Sequence, residues 1–176
     1  MSLIRNPFQR SFTDEEKELI AFLSTFQLFE NLTPKEQSAF FSYLYLRKYK
    51  EDDVVFFRKD PSHALYLIKK GKVALLIDQE QDFETLNIVS RGQSFGNNSL
   101  LDRSQRPYSA VVRSTEAELY VIPHVNIQDI FANQPRIKAK MLASLGEMYD
   151  TYLQDLFHVY RSAKGFFNLN QVSANI

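Results

Sequence analysis

Residues 91–114, RGQSFGNNSLLDRSQRPYSAVVRS, contain the residue types that shape a backbone cradle for an anionic ligand. Gly92 and Gly96 permit turns that a side chain would block. The backbone amides that follow Gly96 can point inward as an anion nest. A polar loop rich in Asn, Ser and Arg then leads into an apolar run at 109–114. Any tight hairpin can use a G-x-x-x-G spacing. The elements around this stretch therefore have to show whether it is a ligand site or an ordinary turn.

Other catalytic and metal-binding patterns are missing from the sequence. His63, His124 and His158 are too far apart in the chain for the convergent histidines of a metal-binding jelly roll, so we predict no metal. The chain has no Cys, which excludes disulfides and thiolate chemistry. It also lacks a G-x-S-x-G nucleophile motif and a P-loop lysine. We therefore predict that the protein is not an enzyme.

The charge and hydropathy of the chain limit its partners. Twenty-one basic residues balance 21 acidic ones, so the sequence shows no basic footprint for duplex nucleic acid. It has neither a signal peptide nor an apolar stretch long enough to cross a membrane. We expect a cytoplasmic protein without direct nucleic-acid or membrane contacts.

Capping signals and apolar periodicity predict the elements around the loop. Thr13 with Glu16 and Thr33 with Glu36 form capping boxes, which indicate two helix starts. Between about 44 and 122 the pattern changes to short apolar runs separated by turn residues, typical of an antiparallel sandwich or jelly roll. The predicted strands are 44–50, 53–58, 64–70, 72–78, 84–90, 109–114 and 117–122.

Helical signals return after Pro123, with a short segment near 125–132 and a long pattern from Pro135 to about Arg161. Apolar residues in the long pattern recur at spacings of three and four, as in a paired helix. We expect this seam to form a homodimer interface; its residues are Leu142, Leu145, Tyr149, Tyr152, Leu156 and Val159. A second face, formed by Met141, Met148 and Leu153, would dock on the chain's own sheets. The alternative is that the seam itself packs against those sheets.

The predicted fold class is α+β, an antiparallel β-roll of the jelly-roll or double-stranded β-helix kind, flanked by N-terminal helices and a long C-terminal helix. Four segments follow from this prediction. They are an N-terminal helical segment at 1–28, the β-roll domain at 29–134, the long helix at 135–161 and a loose tail at 162–176.

Five stretches in order resemble the cyclic-nucleotide-binding domain of the catabolite-activator (CRP/FNR) superfamily, over about residues 29–145. The resemblance lies in LFENLTPKEQSAF, LYLIKKGKVALL, RGQSFG, SAVVRS and ELYVIPHVNIQDIFANQPRIKAKML. In that family a Glu after the second Gly binds the ribose 2′-hydroxyl, and backbone amides of a short helix hold the cyclic phosphate. An Arg before the closing strand pairs with the phosphate charge.

The resemblance assigns these roles to positions where this chain differs. The Glu position is Asn97 and the Arg position is Tyr108, while Asp52 and Lys59 stand where the family often has turn glycines. The loop is one or two residues longer than the common form, which leaves room for Arg106 to enter the site. The implied ligand contacts are Phe95, Gly96, Asn97, Asn98, Ser99, Leu100, Arg106, Tyr108, Ser109 and Ala110.

The predicted function is a non-enzymatic regulatory or sensory module with a degenerate phosphate cassette, and so with weak or altered ligand binding. Two alternatives stay open. One is a genuine cAMP- or cGMP-binding protein that uses Arg106, and the other is a structural interaction module without a ligand. The family's transcription factors carry a helix-turn-helix domain after the long helix. Only 15 residues follow Arg161, so we expect no such domain here.

Overall fold

Short apolar runs form eight strands in a computed structural model that describes residues 11–79 and 82–164. The strands lie close to the predicted positions, and one short strand, β6, was not predicted. Their bounds are β1 (Tyr45–Lys50), β2 (Val54–Phe56), β3 (Ala64–Lys70), β4 (Lys72–Gln79), β5 (Asp82–Ser90), β6 (Ser94–Phe95), β7 (Ser109–Val112) and β8 (Glu116–Pro123).

The strands form two four-stranded sheets, with the orders β1-β8-β3-β6 and β2-β7-β4-β5. All paired strands are antiparallel. Strand β3 is apolar on both faces because it separates two cores: Tyr66 and Ile68 face the other sheet, whereas Leu65 and Leu67 face the helices. The predicted antiparallel β-roll with flanking helices is confirmed.

Four α-helices cover the outer face of the first sheet: α1 (Asp14–Leu23), α2 (Pro34–Gln37), α3 (His124–Asn133) and α4 (Pro135–Lys164). Both predicted capping boxes are present at the starts of α1 and α2. Helix α2 is only 4 residues long, because the chain tightens into a 3-10 helix at Ser38–Tyr43.

Two turns support the assigned alignment with the family. Asp52 (φ 65°) and Lys59 (φ 71°), which stand at expected glycine positions, adopt the left-handed conformation that glycine favours. At the β3–β4 turn a Cβ on Gly71 would lie 2.6 Å from the carbonyl oxygen of Glu116, so only glycine fits there. Asp52 and Lys59 therefore form left-handed turns without a glycine.

Helix α4 contributes to the core through its first half. Ile137, Met141, Leu145 and Met148 pack with Leu23, Phe26 and Phe29 of the N-terminal segment. Lys140 and Arg136 also contact the Glu36 carboxylate of α2, at 2.6 Å and 3.6 Å. The seam is corrected at its first two positions: Leu145 is only 3% exposed and lies inside the chain's own core, and the partly buried Leu142 packs against that core. Leu153, expected to dock on the sheets, is 47% exposed.

The C-terminal segments extend past the predicted boundary. Helix α4 continues to Lys164, three residues beyond the predicted end at 161. Most of the predicted loose tail, residues 165–176, lies outside the described residues. Because α1, the β-roll and α4 share one core, the described elements pack as a single unit.

Candidate functional site

Gly96 begins a tight turn between β6 and the polar loop. It adopts φ 69°, and Asn97–Leu100 then form a 3-10 helix, which we call the cassette turn. Asn97, Ser99 and Leu100 of this turn are buried. Leu100 points into the core beneath the helices. The sequence forms this turn because only glycine enters the left-handed region without a steric penalty.

Arg106 lies beneath the cassette turn and is 2% exposed. Its Nη2 donates to the carbonyl oxygen of Ala64 at 2.7 Å, and its Nη1 donates to that of Gly96 at 3.1 Å. The guanidinium carbon lies 4.1 Å from the centre of the Phe56 ring. Burial lowers the pKa of Arg106 from its ordinary value, although nearby Tyr66 opposes this effect. The loop between the cassette turn and β7 thus places an arginine side chain at the site.

Tyr108 also reaches Gly96, from the other side of its backbone. The amide of Gly96 donates to the Tyr108 hydroxyl oxygen at 3.1 Å. The pKa of Tyr108 is raised to about 12, mainly by burial and to a smaller extent by Tyr152 and Tyr149 of α4, against the opposing effects of the Gly96 amide and Arg106. The side chain is therefore a neutral phenol at physiological pH.

Three buried polar atoms have no hydrogen-bond partner among the described residues, and all belong to this site. They are Oδ1 of Asn97, Oγ of Ser99 and Nε of Arg106. Buried polar groups in native proteins are nearly always paired, so a cluster of exceptions needs an explanation. An acceptor, a hydroxyl and a cationic donor in one place match a ligand that has both a hydroxyl and an anionic oxygen.

Other predicted contact residues support the loop instead. The side chain of Asn98 accepts from Ser62 Oγ at 2.9 Å and donates to the Gln105 carbonyl at 2.6 Å. Ser109 Oγ accepts from the amide of Arg58 at 2.9 Å. Ala110 and Phe95 lie in the core between the sheets. These residues form the walls that hold Arg106 and the cassette turn.

Helix α3 holds the cassette turn from behind, a contact that the sequence did not indicate. His124 Nδ1 lies 2.6 Å from the Ser99 carbonyl oxygen, and Gln128 Nε2 donates to the Leu100 carbonyl at 3.1 Å. The only sequence signal was the position of both residues at a helix start after Pro123. The carboxyl end of the turn is therefore fixed to the element that leads directly into α4.

In the part of the chain that the structure describes, no group of three or more His, Asp or Glu side chains is arranged to hold a metal ion. Within the same residues, no helix is long and apolar enough to cross a membrane.

Comparison with known proteins then identifies the domain. The family described as "Cyclic nucleotide-binding domain" matches residues 46–134, about half of the chain. The chain belongs to this family. The "Cyclic AMP receptor protein" of Thermus thermophilus is 40% identical over 94 residues, which cover 51% of this chain and 42% of that protein.

Solved structures agree with this cyclic nucleotide-binding domain. The catabolite activator protein of Thermus thermophilus aligns with a TM-score of 0.64 and 28% identity, covering 76% of this chain and 62% of that one. A cyclic nucleotide-binding domain from Methylobacillus flagellatus aligns with a TM-score of 0.71 and 22% identity, covering 88% and 86%. The chain spans less than half the length of the curated relatives it matches.

Proposed function

We propose that this domain binds cAMP or cGMP at the cassette turn, with Arg106 as the cation for the cyclic phosphate. The observation that carries the proposal is a buried arginine without an ion-pair partner among the described residues; Asp60 acts on it only at longer range. No Asp or Glu forms an ion pair with Arg106 among residues 11–79 and 82–164, and its Nε is unpaired. This favours the genuine-binding alternative over a cassette that has lost its charge.

The electrostatics of Arg106 explain why a ligand is needed. A buried charge costs several kcal/mol unless an opposite charge or strong hydrogen bonds compensate it. The carbonyls of Ala64 and Gly96 and the ring of Phe56 provide only partial compensation. Asn98 Oδ1, at 3.4 Å from Nη1, and the ring of Tyr66 add neutral contacts but no negative charge. A cyclic phosphate carries one negative charge, so it would neutralise Arg106 without adding a second unpaired charge.

Asn97 fits the ribose in this proposal. Its Oδ1 is buried and accepts no hydrogen bond, so a ribose hydroxyl can donate to it. A neutral amide forms a weaker bond than the carboxylate that the family uses, because charge-assisted hydrogen bonds are roughly twice as strong. We therefore expect the ribose contact to be weakened while the phosphate contact is kept.

Related proteins support the class of ligand. One curated relative is a "Cyclic AMP receptor protein", and another is a cAMP-dependent protein kinase regulatory subunit, 30% identical over 93 residues. The regulatory domain of Toxoplasma gondii PKA, with the same fold, was solved with cAMP. These ligands belong to those proteins, and for this chain they define the compounds to test.

Calorimetric titration of the wild type with cAMP, cGMP and cyclic dinucleotides tests the proposal. We expect saturable binding of one of the cyclic mononucleotides. Arg106→Gln should weaken it by about 10- to 100-fold, the usual contribution of a hydrogen bond to a charged group. Arg103→Gln is the matched control, because it removes one charge from an exposed position in the same loop.

Two results would contradict the proposal. Equal binding by wild type and a folded Arg106→Gln variant would exclude Arg106 as the phosphate cation. Absence of binding by the wild type would favour the structural interaction module. Circular dichroism and thermal unfolding of each variant separate a lost contact from a lost fold.

We further propose that the regulatory unit is a homodimer paired through the second half of α4. This part of the helix carries apolar side chains that are 39–66% exposed: Tyr149, Tyr152, Leu153, Leu156, Phe157 and Val159. Such a continuous stripe is unusual on a monomer surface. An isologous contact between two copies is the commonest way to cover it.

A further inference from the structure

We propose that Tyr108 is a ligand-binding residue that donates its hydroxyl proton to an exocyclic oxygen of the cyclic phosphate. The inference rests on the proposed function and assigns a role to the residue that stands at the family's Arg position. Arg106 and Tyr108 would then together replace the arginine that the family uses. Arg106 provides the positive charge, and Tyr108 provides a neutral hydrogen bond.

The direction of the Gly96 hydrogen bond leaves the Tyr108 proton available. A backbone N–H can only donate, so the Tyr108 oxygen must be the acceptor in the 3.1 Å contact. The hydroxyl still has its own proton, and no acceptor for it lies within the described ranges 11–79 and 82–164. The contact also restricts the position of the hydroxyl oxygen at the start of the cassette turn.

Arg106 and Tyr108 converge on the same glycine. Arg106 Nη1 bonds to the carbonyl oxygen of Gly96, and Tyr108 bonds to its amide. Arg106 and Tyr108 flank Pro107 in a bend just before β7, and both side chains turn towards Gly96. A Cβ on Gly96 would lie 2.5 Å from Arg106 Nη1, so the three groups are closely packed. An anion beside Gly96 is therefore within reach of both donors.

Tyr108 suits this role because it stays neutral. Burial raises its pKa to about 12, so it carries its proton throughout the physiological range. An ionised phenolate would repel a phosphate, whereas a neutral phenol donates to it. A neutral tyrosine carries no positive charge. The charge that pairs with the phosphate therefore has to come from another side chain, that of Arg106, two residues earlier in the chain.

The first test is Tyr108→Phe, which removes one oxygen atom and keeps the ring. We expect cAMP or cGMP, whichever the wild type binds, to bind about 10-fold more weakly to this variant. Tyr120→Phe on β8 is the control, since it removes the same atom outside the site and should leave the affinity unchanged. Unchanged affinity of Tyr108→Phe would overturn the inference. Increased affinity would also overturn it, by showing that the hydroxyl competes with the ligand for the Gly96 amide.

The two phosphorothioate diastereomers of cAMP, or of cGMP, separate a direct contact from a structural role. Each replaces one exocyclic oxygen by sulfur, a weaker acceptor. If Tyr108 donates to one of these oxygens, the loss caused by Tyr108→Phe should shrink for one diastereomer and persist for the other. Equal losses for both would indicate that the Tyr108 hydroxyl acts only by holding the Gly96 amide, and would overturn the inference.

The two proposals fail in different ways. If the wild type binds no cyclic nucleotide, the proposed function fails and the inference fails with it. If the wild type binds and Arg106→Gln is impaired while Tyr108→Phe is not, only the inference fails.

Discussion

Arg106 and Tyr108 are two residues apart, and both side chains bond to the backbone of Gly96. An alignment of motifs compares single positions and so records Tyr108 as a lost arginine. The structure places another cationic side chain, that of Arg106, buried beneath the same turn and bonded to the Gly96 carbonyl. At the scale of residues, the chemistry of the site depends on which side chain reaches a point in space and not on its position in the motif.

The protonation of Tyr108 gives a prediction at this scale. Its pKa in the folded protein is raised by burial to about 12, above the ordinary tyrosine value of 10.0. The folded state therefore favours the neutral form. The stabilisation that comes from the buried neutral phenol of Tyr108 is complete below pH about 10 and is lost as the pH rises to about 12. We expect the free energy of unfolding of the wild type to fall by about 2 kcal/mol more than that of Tyr108→Phe across this window.

Urea unfolding at several pH values between about 9 and 12 measures this difference. Tyr45→Phe, which removes the same atom from an exposed position on β1, should follow the wild type. Identical pH profiles for the wild type and Tyr108→Phe would contradict the predicted burial of the phenol.

At the scale of elements, the cassette turn is held between the β-roll and α3. Its carboxyl end contacts His124 and Gln128, at the start of α3. Only Gln134 separates α3 from α4. A 3-10 helix of 4 residues is too short to be stable alone. Its geometry therefore depends on these contacts.

Gln128→Glu tests the support from α3. An ionised carboxylate cannot donate to the Leu100 carbonyl and would repel its oxygen, so we expect a loss of about 1 to 3 kcal/mol in unfolding free energy. Binding of the cyclic nucleotide should weaken as well. Chemical denaturation and calorimetry measure the two effects.

Gln27→Glu makes the same chemical change at an exposed position and serves as the control. If the Gln128→Glu variant is as stable as the wild type, the 3.1 Å contact between Gln128 and Leu100 contributes nothing measurable to the free energy of unfolding.

At the scale of the whole molecule, α4 has two different halves. Its first half is buried against the N-terminal segment and the β-roll, with Met141 at 0% and Leu145 at 3% exposure. Its second half extends beyond that core, with Leu156 at 60% and Val159 at 66% exposure. The helix is therefore both a core element and a candidate interface.

The dimer proposal predicts different outcomes for the two halves. Leu156→Asp should convert a dimer into a folded monomer, because each leucine buried in a partner contact contributes about 1.5–3 kcal/mol. Leu145→Asp should instead unfold the chain, because it places a charge in the core. Light scattering at about 50 μM, together with thermal unfolding, distinguishes the two results.

Val125→Asp, at a 71% exposed position on α3, is the control and should leave both the mass and the stability unchanged. A wild-type monomer at this concentration would exclude pairing. A dimer that survives Leu156→Asp would place the interface elsewhere.

The amino-acid sequence alone determined most of the local structure. Capping boxes at Thr13 and Thr33 and short apolar runs depend on residues close in the chain, so their outcome can be predicted from neighbours. Order and spacing of these elements were enough to recognise the family.

Only the tertiary structure decided which side chains lie at the site and which half of α4 is buried. Arg106 is fixed by the carbonyl of Ala64, 42 residues away, and the cassette turn by Gln128, 28 residues from Leu100. Contacts over such distances depend on the path of the whole chain, and a loop one or two residues longer changes which side chain arrives. Leu145 and Leu156 belong to the same sequence pattern. They differ in burial because the N-terminal segment packs against the first half of the helix and not the second.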